Sequence, residues 1–201
     1  ITAAVSGQAA IFVGQPGWGK TDVAEAFAQK CVGGDGSAYG LYELGPYSTP
    51  TNIIGIEDPA AILDASRRNP DGSIPRIIAG TPYDPRIKFI IMDEWSRASG
   101  AVLEETMKLY RLCKQTGKIL VGTANFFAVD ERTVALVDRI ALWHWLKPEM
   151  VSVNELIDSA AHKNGCLPEL PITVPTLTEI QEVRSMVPGE NAKRAIGQLL
   201  T

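Results

Sequence analysis

Apolar and polar positions along this chain of 201 residues follow two periods in turn. Short runs that are continuously apolar or alternating predict strands, and apolar residues at a spacing of three to four predict helices. The predicted strands are Ala9–Val13, Tyr39–Leu44, Ile87–Met92, Lys118–Gly122 and Arg139–Leu146. The predicted helices are Lys20–Cys31, Asp58–Arg67 and Ser99–Cys113, with a short helix or turn at Asp130–Asp138. Strands that alternate with helices pair in parallel, so the pattern predicts a three-layer α/β sandwich.

The alternation ends at Lys147 and Pro148, and a different pattern follows. Three helix-like stretches are separated there by loops rich in Pro and Gly, at Val153–Lys163, Thr176–Met186 and Asn191–Leu200. We therefore expect an α/β core over residues 1–148 and a small all-helical lid domain over residues 149–201. Within the core, residues 69–86 scatter apolar side chains among Pro, Gly and Asp, which predicts a hairpin or loop excursion.

The segment GQPGWGKT, Gly14 to Thr21, joins the first predicted strand to the first predicted helix and fits G-x-x-x-x-G-K-[ST]. Glycines let backbone N–H groups approach phosphate oxygens, and the helix N-terminus adds a positive dipole end. We expect Lys20 to reach the β- and γ-phosphates of a nucleotide and the Thr21 hydroxyl to bind Mg²⁺. A chance glycine-rich turn is the alternative, and the flanking strand and helix argue against it. The predicted nucleotide-binding residues here are Gly14, Gln15, Pro16, Gly17, Trp18, Gly19, Lys20, Thr21 and Asp22.

Polar side chains also follow two later strands of the predicted sheet. FIIMDE places Asp93 and Glu94 at the carboxyl end of a buried strand, which is the edge where open α/β sheets bind ligands. We expect Asp93 to join Thr21 in the Mg²⁺ shell and Glu94 to polarise an attacking water. GTAN ends the next strand with Asn125, whose amide can hold that water, although Asn is common in such turns for backbone reasons alone.

Charge and composition narrow the class of protein. A net charge of −4 and a pI of about 5.3 give no overall basic footprint for nucleic acid, so we expect none as a partner. A local patch near the insertion stays possible, formed by Arg67, Arg68, Arg76, Arg86 and Lys88. The three cysteines are far apart and match neither a disulfide framework nor a zinc site, which suits the reducing cytoplasm. No run is long enough to predict a membrane span, and no signal peptide is visible.

These motifs, in this order, resemble the AAA+ ATPases and more narrowly the MoxR branch that includes the RavA-type proteins. MDEWSRA, Met92 to Ala98, is similar to the DEINRA pattern of that family, with Trp95 and Ser96 as replacements. The indoles of Trp95 and of Trp18 are expected to pack in the core or at an interface. Two further segments resemble family motifs: VALVDRIALWHWL at Val134–Leu146 and AKRAIGQLL at Ala192–Leu200. Residues 69–86 correspond to an insertion that MoxR-like proteins carry.

The resemblance implies roles for three side chains and a mode of assembly. Asn125 would be the sensor 1 residue, and Arg194 the sensor 2 residue that reaches the γ-phosphate from the lid. Arg139 would be an arginine finger supplied to the ATP of a neighbouring subunit. The subunits would form a homo-oligomeric ring, commonly a hexamer. Family members act as chaperone-like remodellers of protein clients, often with a partner that carries a metal-binding von Willebrand factor A domain.

Several alternatives stay open at this stage. Arg132 and Arg97 are rivals of Arg139 for the arginine that crosses to a neighbour, and each could be an ordinary surface charge. The chain could also be a nucleotide-gated scaffold with little hydrolysis, or a nucleic-acid motor. MoxR chains are usually longer at the N-terminus, where part of the adenine pocket lies. Because this sequence begins at Ile1, a further N-terminal segment and the base specificity are left open.

Overall fold

The structure is a computed structural model that describes residues 6–126, 134, 138–140, 142–146 and 175–186. Seven strands occur in this part: β1 Ala10–Val13, β2 Tyr39–Glu43, β3 Ile56–Glu57, β4 Arg76–Ile77, β5 Phe89–Asp93, β6 Ile119–Ala124 and β7 Leu142–Trp145. The same part of the chain contains the α-helices α1 Lys20–Cys31, α2 Thr51–Ile54, α3 Pro59–Leu63, α4 Gly100–Thr116 and α5 Leu177–Met186. Where the structure describes a long predicted element, its bounds agree with the prediction to within a few residues, and α5 coincides with the predicted stretch Thr176–Met186. The predicted stretches Val153–Lys163 and Asn191–Leu200, and most of Asp130–Asp138, lie outside the described residues, so the lid domain over residues 149–201 stays a prediction.

Five strands form one sheet in the order β2-β5-β6-β1-β7, and each neighbouring pair is parallel. The predicted parallel sheet is therefore confirmed. Because all five strands point the same way, their carboxyl ends share one edge. The strand order places β6 between β1 and β5, so the end of β6 lies between the ends of the strands that lead into Gly14 and Glu94.

Side chains alternate between the two faces of the sheet and build one core on each face. On β5, Ile90 and Met92 pack with the buried side chains of α4, whereas Phe89 and Ile91 pack with those of α1. These four side chains of β5 are fully buried, as expected for a parallel strand covered on both faces. Ile180 of α5 is also buried, on the α1 side. The molecule is thus layered as helix, sheet and helix.

Each helical layer covers one cysteine. Cys31 at the end of α1 and Cys113 in α4 are both buried free thiols, and burial raises the pKa of each to about 12. A thiol with such a pKa stays protonated and unreactive near neutral pH. The third cysteine, Cys166, lies outside the described residues.

The region between β2 and β5 differs in detail from its prediction. The helix predicted over Asp58–Arg67 is two pieces, α3 and a 3₁₀ turn at Ala65–Arg67, with Asp58 and Asp64 accepting hydrogen bonds as their N-caps. Residues 69–86 contain one short strand, β4, which pairs in antiparallel fashion with β3 from before this segment, with Ile56 opposite Ile77. Of the two predicted possibilities for residues 69–86, the structure therefore has the loop excursion and not a hairpin within the segment. Ile56, Ile77 and Leu63 are exposed. The last sheet strand, β7, spans Leu142–Trp145 and is shorter than the predicted strand Arg139–Leu146. Arg139 and Ile140 therefore precede the strand.

Trp95 is the largest fully buried side chain of the described chain, which confirms that this indole packs in the core. Its ring lies against Gly122 of β6, where an added Cβ would come within 2.2 Å of Trp95 Cε3. The indole N–H donates to Thr106 Oγ1 of α4 at 3.2 Å, and Thr106 in turn donates to the Leu103 carbonyl. A glycine in the central strand therefore makes room for an indole that joins the sheet to α4.

We expect Gly122→Ala to lower the free energy of unfolding by about 2 kcal/mol, because the new methyl group overlaps the Trp95 ring. Urea unfolding of both proteins measures the difference. Gly36→Ala is the matched control, since a Cβ at Gly36 meets nothing within 4 Å. Equal stability of Gly122→Ala and the unaltered protein would contradict this packing.

Among the helices that the structure describes, none has the length and apolar content that a membrane crossing requires.

Candidate functional site

The segment Gly14–Thr21, called the phosphate loop from here on, lies at the carboxyl edge of the sheet, where β1 leads into α1. Backbone hydrogen bonds to both neighbouring strands fix the start of the loop. Gly14 N–H donates to the Ala124 carbonyl, and Leu146 N–H donates to the Val13 carbonyl. Gly17 and Gly19 have φ values of 81° and 68°, in the left-handed region that favours glycine. An added Cβ on Gly17 would meet nothing within 4 Å, so the crest of the loop faces open space.

Helix α1 begins directly after this loop without a side-chain cap from any described residue. Gly19 occupies the N-cap position and contributes only its carbonyl, which accepts from Val23 N–H. The N–H groups at the start of a helix otherwise need an acceptor, and they lie at the positive end of the helix dipole. The start of α1 is therefore suited to an anion such as phosphate.

Lys20 is 7% exposed and directs its ammonium group into the site. Its Nζ donates to the carbonyls of Gly14 and Gln15, at 2.9 and 2.8 Å, and to Asn125 Oδ1 at 3.0 Å. Burial lowers the pKa of Lys20, while the nearby charges of Asp93 and Glu94 act in the opposite direction. The phosphate loop is thus closed around a cation that three oxygens hold in place.

Asp93 accepts two hydroxyl hydrogen bonds on the same oxygen. Thr21 Oγ1 donates to Asp93 Oδ1 at 2.7 Å, and Thr123 Oγ1 also donates to Asp93 Oδ1. Thr21 and Asp93 therefore meet across the site although they are distant in sequence. A hydroxyl and a carboxylate are hard oxygen ligands of the kind Mg²⁺ takes, with substrate phosphates and waters completing its shell.

Glu94 follows β5 in the left-handed conformation, with φ of 54° and ψ of 38°, the one described non-glycine residue with positive φ. Its N–H donates to Thr123 Oγ1 at 3.1 Å. Its carboxylate is held at both ends: Asn125 Nδ2 donates to Oε1 at 2.8 Å, and an Arg97 guanidinium N–H donates to Oε2. Strained backbone of this kind persists only where its surroundings fix it, and it is frequent at functional sites.

Carboxylates are in excess around Lys20. Asp22, Glu25, Asp93 and Glu94 lie on the elements that meet here, and burial together with the charges of Asp22 and Asp93 raises the pKa of Glu25. A site with one buried cation and several carboxylates gains from a divalent cation, particularly when it also receives phosphates. The residues present therefore fit a magnesium nucleotide.

The remaining predicted nucleotide-binding residues differ in their exposure to solvent. Gln15, Pro16 and Asp22 are exposed, and Trp18 is half-buried. The Trp18 ring covers Gly14, where an added Cβ would lie 3.0 Å from both Trp18 Cε3 and Leu146 Cβ. Trp18 thus packs on the root of the loop.

Of the candidate arginines, Arg97 contacts a site residue within the described chain, and Arg139 lies away from the phosphate loop. Arg139 is half-buried and precedes β7, which runs parallel to β1, so it lies towards the amino edge of the sheet. The phosphate loop follows β1 at the opposite edge. Arg132 and Arg194 lie outside the described residues, and Arg97 contacts Glu94 of its own chain.

Thr123 is a site residue that the sequence motifs did not identify. It is fully buried and contacts both Asp93 and the backbone of Glu94. The predicted strand ended at Gly122, whereas β6 continues to Ala124 and turns Thr123 towards the acidic pair. A hydroxyl residue two positions before Asn125 was the available signal.

Comparison with solved structures identifies the fold. A presumed ATPase from Cytophaga hutchinsonii superposes with a TM-score of 0.59 and 16% sequence identity over 98% of this chain. This chain spans 60% of the length of that structure. The structure of C. elegans PCH-2 gives a TM-score of 0.41 at 12% identity over 98% of this chain and 66% of that one, too weak a similarity to support an inference. No protein-family model and no curated protein matches the sequence.

The similarity to the Cytophaga protein, together with the parallel sheet and its glycine loop, establishes a P-loop α/β fold. At 16% identity, a shared fold is all that the similarity shows. The chemistry must therefore be argued from the site itself.

We expect Thr123→Val to lower the free energy of unfolding by about 1–3 kcal/mol, because it removes a donor from Asp93 and leaves the Glu94 N–H without its acceptor. Thr123→Ser keeps the hydroxyl and loses only a methyl group, so it should retain more of the stability. Chemical denaturation of the three proteins checks this. A valine variant as stable as the serine variant would show that the hydroxyl does not hold the acidic turn.

Proposed function

We propose that this protein binds and hydrolyses ATP with Mg²⁺. The observation that carries the proposal is one connected network at the carboxyl edge of the sheet. Lys20 donates a hydrogen bond to Asn125, which donates to Glu94, and Thr21 donates to Asp93. Thr123 joins the two parts, since it donates to Asp93 and accepts from the Glu94 N–H. A cation for phosphate, an amide, a candidate base and a pair of metal ligands thus occupy one site. Phosphoryl transfer is catalysed mainly by such positioning and charge stabilisation.

Each side chain has a defined task in this proposal. The loop N–H groups and the start of α1 hold the phosphates, and Lys20 exchanges its carbonyl partners for the β- and γ-phosphate oxygens. Thr21 and Asp93 hold Mg²⁺, which supplies charge neutralisation when bound. Asn125 and Glu94 orient a water for attack on the γ-phosphate, and Glu94 takes its proton. Asn125 Nδ2 and Glu94 Oε1 are 2.8 Å apart, so a single water can contact both side chains.

We further propose that the protein is an AAA+ ATPase of the MoxR type that works as a homo-oligomeric ring. The motif order GQPGWGKT, MDEWSRA and VALVDRIALWHWL supports this assignment. Arg139 supports it as well, because its position towards the opposite edge of the sheet places it away from the phosphate loop of its own chain. An arginine supplied by a neighbour makes hydrolysis depend on assembly.

In this ring, proposed to be a hexamer, Arg194 acts as the sensor 2 residue from the lid formed by residues 149–201. Hydrolysis relaxes the subunit interface and moves the insertion, residues 69–86, against a protein client. The remodelling role, a partner with a von Willebrand factor A domain and a cytoplasmic location are part of the same proposal and rest on the family resemblance.

A nucleic-acid motor is less well supported by the described surface. Three of the five basic residues near the insertion are paired with carboxylates: Arg67 with Asp64, Arg76 with Glu57, and Arg86 with Asp84. The other two, Arg68 and Lys88, donate to backbone carbonyls. Arginines engaged in ion pairs offer little net positive charge to a phosphate backbone.

Glu94→Gln should reduce ATP turnover by at least about 100-fold while ATP remains bound, because the amide cannot accept the proton of the water. Release of inorganic phosphate measures turnover, and equilibrium binding of a fluorescent ATP analogue measures affinity. Glu105→Gln is the matched control. Glu105 forms an ion pair with Lys108 at the i,i+3 spacing that Glu94 has with Arg97, but it lies away from the site. Turnover unchanged by Glu94→Gln would contradict the proposed mechanism.

Assembly provides a second measurement of the proposed ring. The specific activity of the unaltered protein should rise with protein concentration, and Arg139→Ala should remove this rise without loss of nucleotide binding. Mixing Arg139→Ala with Glu94→Gln subunits should restore part of the activity, since each contributes what the other lacks. Nucleotide-dependent assembly that is unaffected by Glu94→Gln, with negligible turnover of the unaltered protein, would instead favour a scaffold.

A further inference from the structure

The carboxylate of Glu94 is held by two donors of its own chain, one on each oxygen. Asn125 Nδ2 contacts Oε1, and the Arg97 guanidinium contacts Oε2. Asn125 also accepts from Lys20 through its Oδ1. The side chains therefore form an ordered series, Arg97–Glu94–Asn125–Lys20, that runs from the protein surface to the phosphate loop.

The backbone explains how Arg97 reaches Glu94. Residues Trp95–Arg97 form a 3₁₀ turn, and Arg97 N–H donates to the Glu94 carbonyl at 2.8 Å. Residues i and i+3 lie on the same side of such a turn. The left-handed conformation of Glu94 starts the turn, and the buried Trp95 ring fixes it to the sheet. Arg97 is thus presented to Glu94 by a rigid local structure.

This pair differs from the ordinary surface pairs of the protein. Arg67 and Asp64 have the same i,i+3 spacing in another 3₁₀ turn, but their closest nitrogen and oxygen are 3.6 Å apart and both side chains are more than half exposed. The Glu94 side chain is only 24% exposed and its second oxygen already has a donor. Restriction at both oxygens leaves the carboxylate little rotational freedom.

We infer that Arg97 is a positioning residue that acts in cis on Glu94. By holding Oε2 on the surface side, it leaves Oε1 directed at Asn125 and towards the phosphate loop. This orientation serves a base that must contact a water beside the γ-phosphate. The inference rests on the proposed function, because it assigns Arg97 to the same hydrolytic site. It also separates Arg97 from the arginine that crosses between subunits.

Arg97→Ala should lower kcat by about 10- to 100-fold through misplacement of Glu94, and should leave the KM for ATP nearly unchanged. Arg97→Lys should recover part of kcat, because its ammonium still offers a single donor to Oε2, whereas Arg97→Gln should recover less. Arg67→Ala is the matched control and should keep the kcat of the unaltered protein. Thermal unfolding of each variant identifies any loss of folded protein, and the lysine variant provides the test if the alanine variant is unstable.

Mixed assemblies distinguish action in cis from action in trans. Arg97→Ala subunits are combined with Glu94→Gln subunits, and the phosphate release of the mixture is compared with the sum of the separate rates. Action in cis predicts the sum, because no subunit carries both residues. Action in trans predicts a rate well above the sum, since a Glu94 site can then receive Arg97 from its neighbour.

Three results would overturn the inference: unchanged kcat in Arg97→Ala, a raised KM with unchanged kcat, or a mixture that exceeds the sum. The first two leave the proposed ATPase intact, provided that the unaltered protein hydrolyses ATP and Glu94→Gln does not. An unaltered protein that binds ATP without hydrolysing it contradicts the proposed function itself, and the role of Arg97 in turnover falls with it.

Discussion

A buried ammonium group must be surrounded by oxygens, and the arrangement of this site follows from that requirement. Lys20 is held by two carbonyls of the phosphate loop and by the amide oxygen of Asn125. The cost of burying a charge is large unless hydrogen bonds and opposite charges compensate it. The loop therefore folds back on Lys20, and Asn125, directly after β6, supplies a third acceptor. The same contacts bring Asp93 and Glu94 within the electrostatic range of Lys20.

Much of this arrangement could be predicted because it depends on local sequence and on one rule of topology. The glycine loop fixes the root of α1, and parallel strands place their carboxyl ends at one edge. These two facts suffice to bring Lys20, Asp93, Glu94 and Asn125 together, as the structure does. The roles of these residues in catalysis stay predictions, since geometry alone does not measure turnover.

Contacts that depend on tertiary packing could not be derived from the sequence. From the sequence, Arg97 could cross to a neighbouring subunit or be an ordinary surface charge, whereas the left-handed turn at Glu94 directs it to that carboxylate. Thr123 lay beyond the predicted end of its strand, because strand ends depend on the neighbouring ladder as well as on apolar pattern. The contact of Trp95 with Gly122 joins positions far apart in the chain. Each of these features fixes the position of a predicted residue rather than adding new chemistry.

The two buried cysteines, Cys31 and Cys113, are natural probes for local opening of each helical layer. Cys31 is the last residue of α1, on one face of the sheet, and Cys113 lies within α4 on the other. Because burial shields both thiols and raises the pKa of each, we expect an alkylating reagent to modify either one when its own helix moves away from the sheet. Mass spectrometry of peptides from timed alkylation can therefore report which layer opens first, without any introduced label.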